Sequence, residues 1–484
     1  MGDLHFKTPT SMKFDSRIWN TAYITGIEGI PWQCHHSQDG EQFSIGREID
    51  ESGKLNIVWP TQTLGNVCLS STSLRVKDGS YDLLAEIARG TVYRLKSQTF
   101  EWQRIGLRLP EEFFPLAEAA LNQLLLALSH PDDQSNERAQ KAIELALKAS
   151  VQLSDTFSAQ ALDARRNNEG RLSTLLGVQL QNESSIDEYS SAIKTAFNLL
   201  AVSADFGTVE STSGSQAYDV FDSQIAWASQ TDHKICVGPL VDFRDGRLPD
   251  WMMLLDEGYD SILSAACEHV RKTVERYKGK AHLWNCATGL NVPLQSGWTD
   301  EEVLRIAVSL IETVRRADDR SPVLITIDQP WSEYLRDDAT GISPLHFADA
   351  LIRADLGLSG LALEMNFDQW PGGSLPRDPL EISRLIDRWS MLGLPLMVIL
   401  SSPTSATNVP QDYVSSWDME HAGTIKPESI IQLLMSKPSV HAILWNCLTA
   451  ETSGSRPRAG LWDDSGNAHS VLNGIARLRR NFLH

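Results

Sequence analysis

From Leu172 to the C-terminus the chain alternates short apolar runs with amphipathic stretches, and that alternation constrains the fold more than anything else in the sequence. Eight strands are expected: Ser173–Leu180, Asn198–Ser203, Lys234–Val241, Ala281–Thr288, Val323–Asp328, Gly360–Asn366, Pro395–Leu400 and Ser439–Asn446. Stretches with helical spacing separate them, among them Ile262–Tyr277, Asp300–Arg316 and Leu380–Leu392. Apolar strands alternating with helices call for a parallel sheet, because each crossover helix covers one face. Eight such units in one chain segment are what a (β/α)8 barrel requires. The expected fold class is therefore α/β, a TIM barrel over residues 171–484.

Two further regions precede it. Residues 1–110 read as a small β-rich, sandwich-like module, with apolar stretches such as Ala22–Ile27, Leu55–Trp59 and Ser73–Val76 between turn signals. Its shape is that of jelly-roll carbohydrate-binding modules or of a structural cap. Within it, Tyr81–Leu95 has helical spacing, with Leu83, Leu84, Ile87, Val92 and Leu95 on one side. Residues 111–170 read as a helical hairpin linking module and barrel, since Ile143, Leu147 and Val151 recur every four residues in its second half.

Composition narrows the partners. With 43 Lys and Arg against 62 Asp and Glu, the formal net charge is −19. Nucleic acid and anionic membranes would both be repelled, so neither is an expected partner. The cysteines have no metal-ligand spacing, and Cys236, Cys286 and Cys447 lie in apolar runs that favour buried free thiols. His35–His36 has no partners at ligand spacing and reads as a surface turn. No metal or cofactor is implied. The N-terminal residues lack an apolar export segment, which leads to the expectation of a cytoplasmic protein.

Several segments resemble glycoside hydrolase family 10, the endo-1,4-beta-xylanase family. The run from Thr208 to Gln230, with Glu210, Gly214, Tyr218 and Asp222, resembles that family's second loop and following helix. Leu248, Pro249, Asp250 and Trp251 resemble its LPxW turn. RYKGK at 276–280, running on to Trp284 and Asn285, resembles the approach to the fourth strand end, and the block from Lys437 to Arg479 resembles the eighth strand and closing helix. The resemblance implies a barrel, a carbohydrate ligand, and two glutamates at the ends of strands four and seven. Retaining enzymes place such a pair about 5–5.5 Å apart.

This chain departs from that pattern at both ends. Gly289 stands at the acid/base position, and Leu400, Ser401 and Ser402 stand where the nucleophile belongs, with no Asp or Glu between Asp387 and Asp412. Pro239 falls near the position of a substrate-binding histidine. The resemblance therefore implies the architecture without the standard retaining chemistry.

Other acids sit at expected strand ends, where barrel active sites lie. Asp242, Asp328 and Glu364 form the candidate catalytic set, with Asp368 and Glu451 nearby. A pair of them could serve as acid and base if one were held protonated; the preferred reading is that they cap loop backbones or pair with Arg336, Arg377 and Arg458. Tryptophans at or after strand ends suit sugar stacking. Trp251, Trp331, Trp370 and Trp445, with Asn285, Asn366 and Glu210, make up the candidate substrate-binding set, while Trp284 and Trp445, inside strand runs, also read as core or mouth-floor residues. Three functions follow as expectations: a carbohydrate-binding barrel without standard xylanase activity, a glycosidase using relocated carboxylates, or an interaction protein with no glycan ligand.

Overall fold

The computed structural model describes residues 2–8, 16–39, 42–129, 134–180, 186–254, 258–293, 297–337, 341–367, 372–401, 426–449, 460–462 and 466–484. Trp370, Asp368, Glu451, Arg458 and Ser402 lie outside the described residues.

The N-terminal region holds two small sheets. Strands β1 (Leu4–Lys7), β3 (His35–Asp39), β4 (Gln42–Gly46) and β7 (Tyr81–Asp82) form one, in the order β3-β4-β1-β7. Strands β2 (Tyr23–Thr25), β5 (Gly53–Thr61) and β6 (Gly65–Leu74) form the other, and a single helical turn, α1 (Ser16–Trp19), precedes β2. His35 and His36 thus lie in a strand rather than in a turn, where the His36 ring hydrogen-bonds the Ala22 carbonyl at 2.8 Å.

The helical layer begins earlier than the 1–110 boundary suggests. Asp82 caps α2 (Leu83–Arg104) by accepting the Ala85 amide, and the apolar spacing seen in the sequence continues well past Leu95. Helices α3 (Phe113–Ser129) and α4 (Ser135–Glu169) follow as the expected hairpin and pack with α2. Helix α2 also lies against β6 so closely that a Cβ on Gly90 would come 1.9 Å from the Ser70 carbonyl oxygen. Because that contact is backbone, it cannot rotate away. Gly90→Ala is expected to destabilise the chain by about 1–3 kcal/mol, read as a lower melting temperature with unchanged helix content.

The remaining strands close into the barrel: β8 (Leu175–Leu180), β9 (Leu199–Val202), β10 (Lys234–Val237), β12 (Leu283–Asn285), β14 (Val323–Asp328), β15 (Gly360–Asn366), β16 (Leu396–Ser401) and β17 (Val440–Trp445), in chain order and all parallel. Helices α5 (Ser190–Ala196), α7 (Asp219–Gln230), α8 (Gly258–Tyr277), α9 (Asp300–Ala317), α10 (Pro344–Arg353), α11 (Pro379–Ser390), α12 (Pro427–Ser436) and α13 (Ser470–Phe482) surround it, with a short helix α6 (Phe206–Val209) after β9. Local signals set these helices. A Thr299–Glu302 capping box opens α9, and Asp378 followed by Pro379 opens α11.

Two expected strands are broken. The run Lys234–Val241 leaves the ladder after Val237, because Pro239 has no N–H to continue it. The chain then makes a two-residue strand, β11 (Val241–Asp242), which pairs in parallel with β13 (Ala287–Thr288) above the barrel rim. The barrel interior alternates strictly with its wall. Leu199, Ala201, Cys236, Leu324, Ala362 and Leu444 point inward as a cluster of their own, whereas their neighbours join the outer core against the helices. No described helix is long and apolar enough to cross a membrane.

The N-terminal sheets are bound to the loops after β14 and β15. Amides of Cys34 and Cys68 donate to the carbonyls of Arg336 and Pro376, and Arg94 of α2 pairs with Asp378 at 2.6 Å. Arg377 reaches across to donate to the Tyr23 hydroxyl at 2.6 Å and to Glu333 at 2.7 Å. Both loops follow strand C-termini, so these sheets help form the wall on the mouth side of the barrel.

Candidate functional site

Strand register brings the acids together. On β14 and β15, Asp328 pairs directly with Glu364, and on the rim strands Asp242 pairs with Thr288. All three carboxylates lie at C-terminal strand ends and are buried. Above them sits Arg244, two residues beyond Asp242. Its Nε and Nη2 form a fork on Asp242 at 2.9 and 2.7 Å, while Nη1 contacts Glu364 Oε1 at 2.9 Å and Asp328 Oδ1 at 3.7 Å. One nitrogen touching both Asp328 and Glu364 puts those carboxylates well within the roughly 10 Å limit for a glycosidase pair.

The rest of the network fixes each oxygen. Thr288 donates its hydroxyl to Asp328 Oδ2 at 3.0 Å, and the Gly289 amide donates to the same oxygen at 2.8 Å. Asn291 brackets the Asp328 backbone, donating to its carbonyl and accepting its amide. Glu364 Oε1 also accepts from Asn366 at 2.5 Å and from Asn446 at 3.3 Å. Three acids share one guanidinium, and their protonation differs accordingly. Burial, then the neighbouring Glu364 charge, pushes the Asp328 carboxyl up to about 6 despite Arg244. Burial also acts to raise Asp242, but the charge and hydrogen bonds of Arg244 outweigh it and hold that carboxyl below the ordinary aspartate value.

Gly289 sits where the fold leaves no room for a side chain. Its φ is +80°, and a Cβ there would lie 2.7 Å from the Arg244 amide nitrogen and 2.8 Å from Arg244 Cγ. The Arg244 segment therefore occupies the volume into which any side chain at 289 would project. Ser401 is buried on β16 beside Asn366.

A polar cavity of about 120 Å³ opens beneath this cluster. Inward-facing Gln179, Ser203, Asn285, Thr326 and Asn446 line it together with Asp242, Arg244, Arg247, Glu364 and Asp205. Asp205, at the end of β9, accepts both the amide and the hydroxyl of Thr208, and burial pushes its carboxyl up to about 6. A larger cavity of about 460 Å³ lies between the loops after β13 and β14, lined by Asn291, Trp298, Tyr334 and Ile342 among others.

The sequence-derived candidates separate into groups. Asp242, Glu364 and Asn285 line the polar cavity, and Asp328 and Asn366 bond to it from behind. Trp251 and Glu210 meet each other instead, the indole N–H donating to the Glu210 carbonyl at 2.8 Å, with the Glu210 carboxylate taken by the Gly214 amide. Trp331 is no open platform. Its ring is buried between Phe367 and the Arg377 guanidinium, 5.2 Å away. Trp445 requires a correction as a substrate-binding residue: Ala442 and Leu444 occupy the inward phase of β17, so Trp445 faces the helical layer. Trp284 shares that outward phase, and its N–H donates to Asp318.

The partners foreseen for the acids also differ. Arg377 pairs with Glu333 and Arg336 with Asp337, while Arg244 holds the site carboxylates. Arg244, Arg247, Asp205 and Trp298 were not singled out from sequence. The signal available for Arg244 was its place two residues past a strand-end aspartate. Among the described residues, no group of three or more His, Cys, Asp or Glu could hold a metal ion.

No family model and no curated protein matches the chain. Solved structures similar to it include native xylanase 10B from Thermotoga maritima, 13% identical with a TM-score of 0.49 over 67% of this chain and 97% of that one. Xylanase 10B from Thermotoga petrophila RKU-1 in complex with xylobiose is 14% identical with a TM-score of 0.49, covering 68% and 97%. A GH10 protein from Paenibacillus barcinonensis is 15% identical with a TM-score of 0.48, covering 66% and 96%.

Proposed function

We propose that this chain is a family 10-like glycoside hydrolase barrel that binds a carbohydrate at its mouth and does not cleave it by the standard retaining mechanism. The observation that carries this reading is the packing of Arg244 against Gly289. The place of an acid/base side chain is filled by backbone, and the guanidinium pairs with the carboxylates around it. The cavity below offers amides, hydroxyls and carboxylates at close spacing, which suits the hydroxyl groups of a sugar ring. Its volume suits part of one ring, since pockets that enclose a whole drug-sized ligand run from roughly 300 Å³. Trp298, half-buried beside Phe243 and Tyr259 in the larger neighbouring cavity, is the aromatic best placed to extend the contact.

A second reading, hydrolysis by relocated carboxylates, is favoured by one observation: Asp328 and Glu364 share the Thr288 hydroxyl and the Arg244 guanidinium, and burial with the Glu364 charge pushes the Asp328 carboxyl upward. The two readings part in one experiment. Xylo-, cello- and manno-oligosaccharides are screened for binding by calorimetry and for release of reducing ends, with wild type beside Glu364→Gln and Asp328→Asn. Binding without turnover is expected. Glu364→Gln should weaken binding about 10-fold or more, the worth of a charge-assisted hydrogen bond. Turnover in wild type that falls at least ~100-fold in both variants would establish the second reading instead. Absence of any glycan binding would remove both.

A further inference from the structure

The cavity next to the polar one differs from it in character. About 460 Å³ in volume, it has Leu290, Val292, Trp298, Val303, Tyr334 and Ile342 in its lining. The polar side chains of its wall are already bonded within the chain. Asn291 spends its amide on the Asp328 backbone, and the Tyr334 hydroxyl donates to the Ile342 carbonyl. The Thr299 hydroxyl is held in the capping box with Glu302. Asp300 and Glu301 stand at the exposed rim, and among the described residues no Lys, Arg or His lines the cavity. A wall of aliphatic and aromatic carbon, its hydrogen bonds committed, favours an apolar guest over another sugar ring, whose hydroxyls would lose water without replacement. Two carboxylates with no cation opposite disfavour an anion.

We propose that this cavity takes an uncharged aryl group, and that the glycan bound at the mouth carries it as a substituent. The second half rests on carbohydrate binding in the polar cavity; the first stands on the larger cavity alone. Its volume is sufficient, because an apolar cavity of about 150 Å³ already holds one benzene. Its position is suitable as well. Thr288 lines the polar cavity and Leu290 the larger one, and two residues of chain span at most about 7 Å. Phe243, next to Arg244 of the polar site, has its ring 5.8 Å from that of Trp298. The two cavities therefore flank one short stretch of wall, Phe243–Arg244 packed on Gly289.

Calorimetry of the full chain with phenyl and methyl β-glycosides of xylobiose and cellobiose, and with phenol alone, tests this. The phenyl glycoside should bind about 10-fold or more tighter than the methyl one, the worth of burying much of a ring. A 4-carboxyphenyl glycoside should show no such gain. Val292→Phe, which fills the cavity, should remove the preference and leave the methyl glycoside's affinity within about 2-fold. Trp298→Leu should remove the preference too, and unchanged circular dichroism would show that both variants fold. Equal affinity for phenyl and methyl glycosides overturns the proposal and leaves carbohydrate binding standing. So does a phenyl preference that survives both variants, or a carboxyphenyl glycoside that binds as tightly as the phenyl one. If no glycoside binds, carbohydrate binding fails and phenol decides the cavity: saturable binding lost in Val292→Phe upholds the aryl site, and no binding overturns it.

Discussion

Replacing Arg244 by methionine is expected to lower the unfolding free energy by about 3–5 kcal/mol at pH 8, and by less at pH 5. Methionine keeps most of the side chain's volume, so the loss is electrostatic. Asp242, Asp328 and Glu364 are all buried, and Arg244 is the cation that touches each of them. Two effects then give the sign with pH. Asp242 is depressed in the folded chain, so it contributes stability above the ordinary aspartate value, and this is lost as pH falls through its lowered value. Asp328 is raised to about 6, so folding carries a penalty that is full above that pH and fades as acid protonates it. Without the guanidinium both carboxyls move up, the first losing its benefit and the second deepening its penalty. Denaturant titrations of wild type and variant at the two pH values give the comparison. A deficit independent of pH would show that Arg244 acts through packing alone.

Arg377→Met is expected to cost about 3–5 kcal/mol as well, for a related reason at a different place. Glu333 has no exposed surface, its pKa is raised by burial, and Arg377 is its cation at 2.7 Å. The same guanidinium donates to Tyr23 of the N-terminal sheet and lies over Trp331. Removing it leaves the buried Glu333 carboxylate without its cation, with the Leu375 amide still donating to it, and takes away one of the ties between the sheet and the loop after β15. The double variant Arg377→Met/Glu333→Gln should be more stable than the single, because no uncompensated charge remains. Limited proteolysis should cut the single variant faster between the N-terminal sheets and the barrel. If the double variant is the less stable one, the ion pair is not the reason for the contact.

The strands expected at Val323–Asp328 and Gly360–Asn366 match the structure end to end. They are buried on both faces, and such strands read as continuous apolar runs closed by a polar residue. The polar residues that close them, Asp328 and Asn366, bracket the site along with Glu364, so the acids were legible for the same reason as the strands. Strands three and four read less well: each was continuous in the sequence pattern, but Pro239 ends one ladder and the chain restarts at the rim.

What the sequence by itself determined is the barrel, its order, and the strand ends that carry Asp242, Asp328 and Glu364, because hydrophobic period and strand ends are local properties. It also shows that position 289 lacks a side chain. Only the tertiary structure decided why. The Arg244 backbone fills the space beside Gly289, and its guanidinium spans from Asp242 to Glu364, a contact between residues 120 positions apart. It likewise turned Trp445 outward, since a residue's face depends on the strand's phase against its neighbours and not on its place near a strand end. Local spacing fixes elements; which charge meets which is settled when distant strand ends are packed into one closed ring.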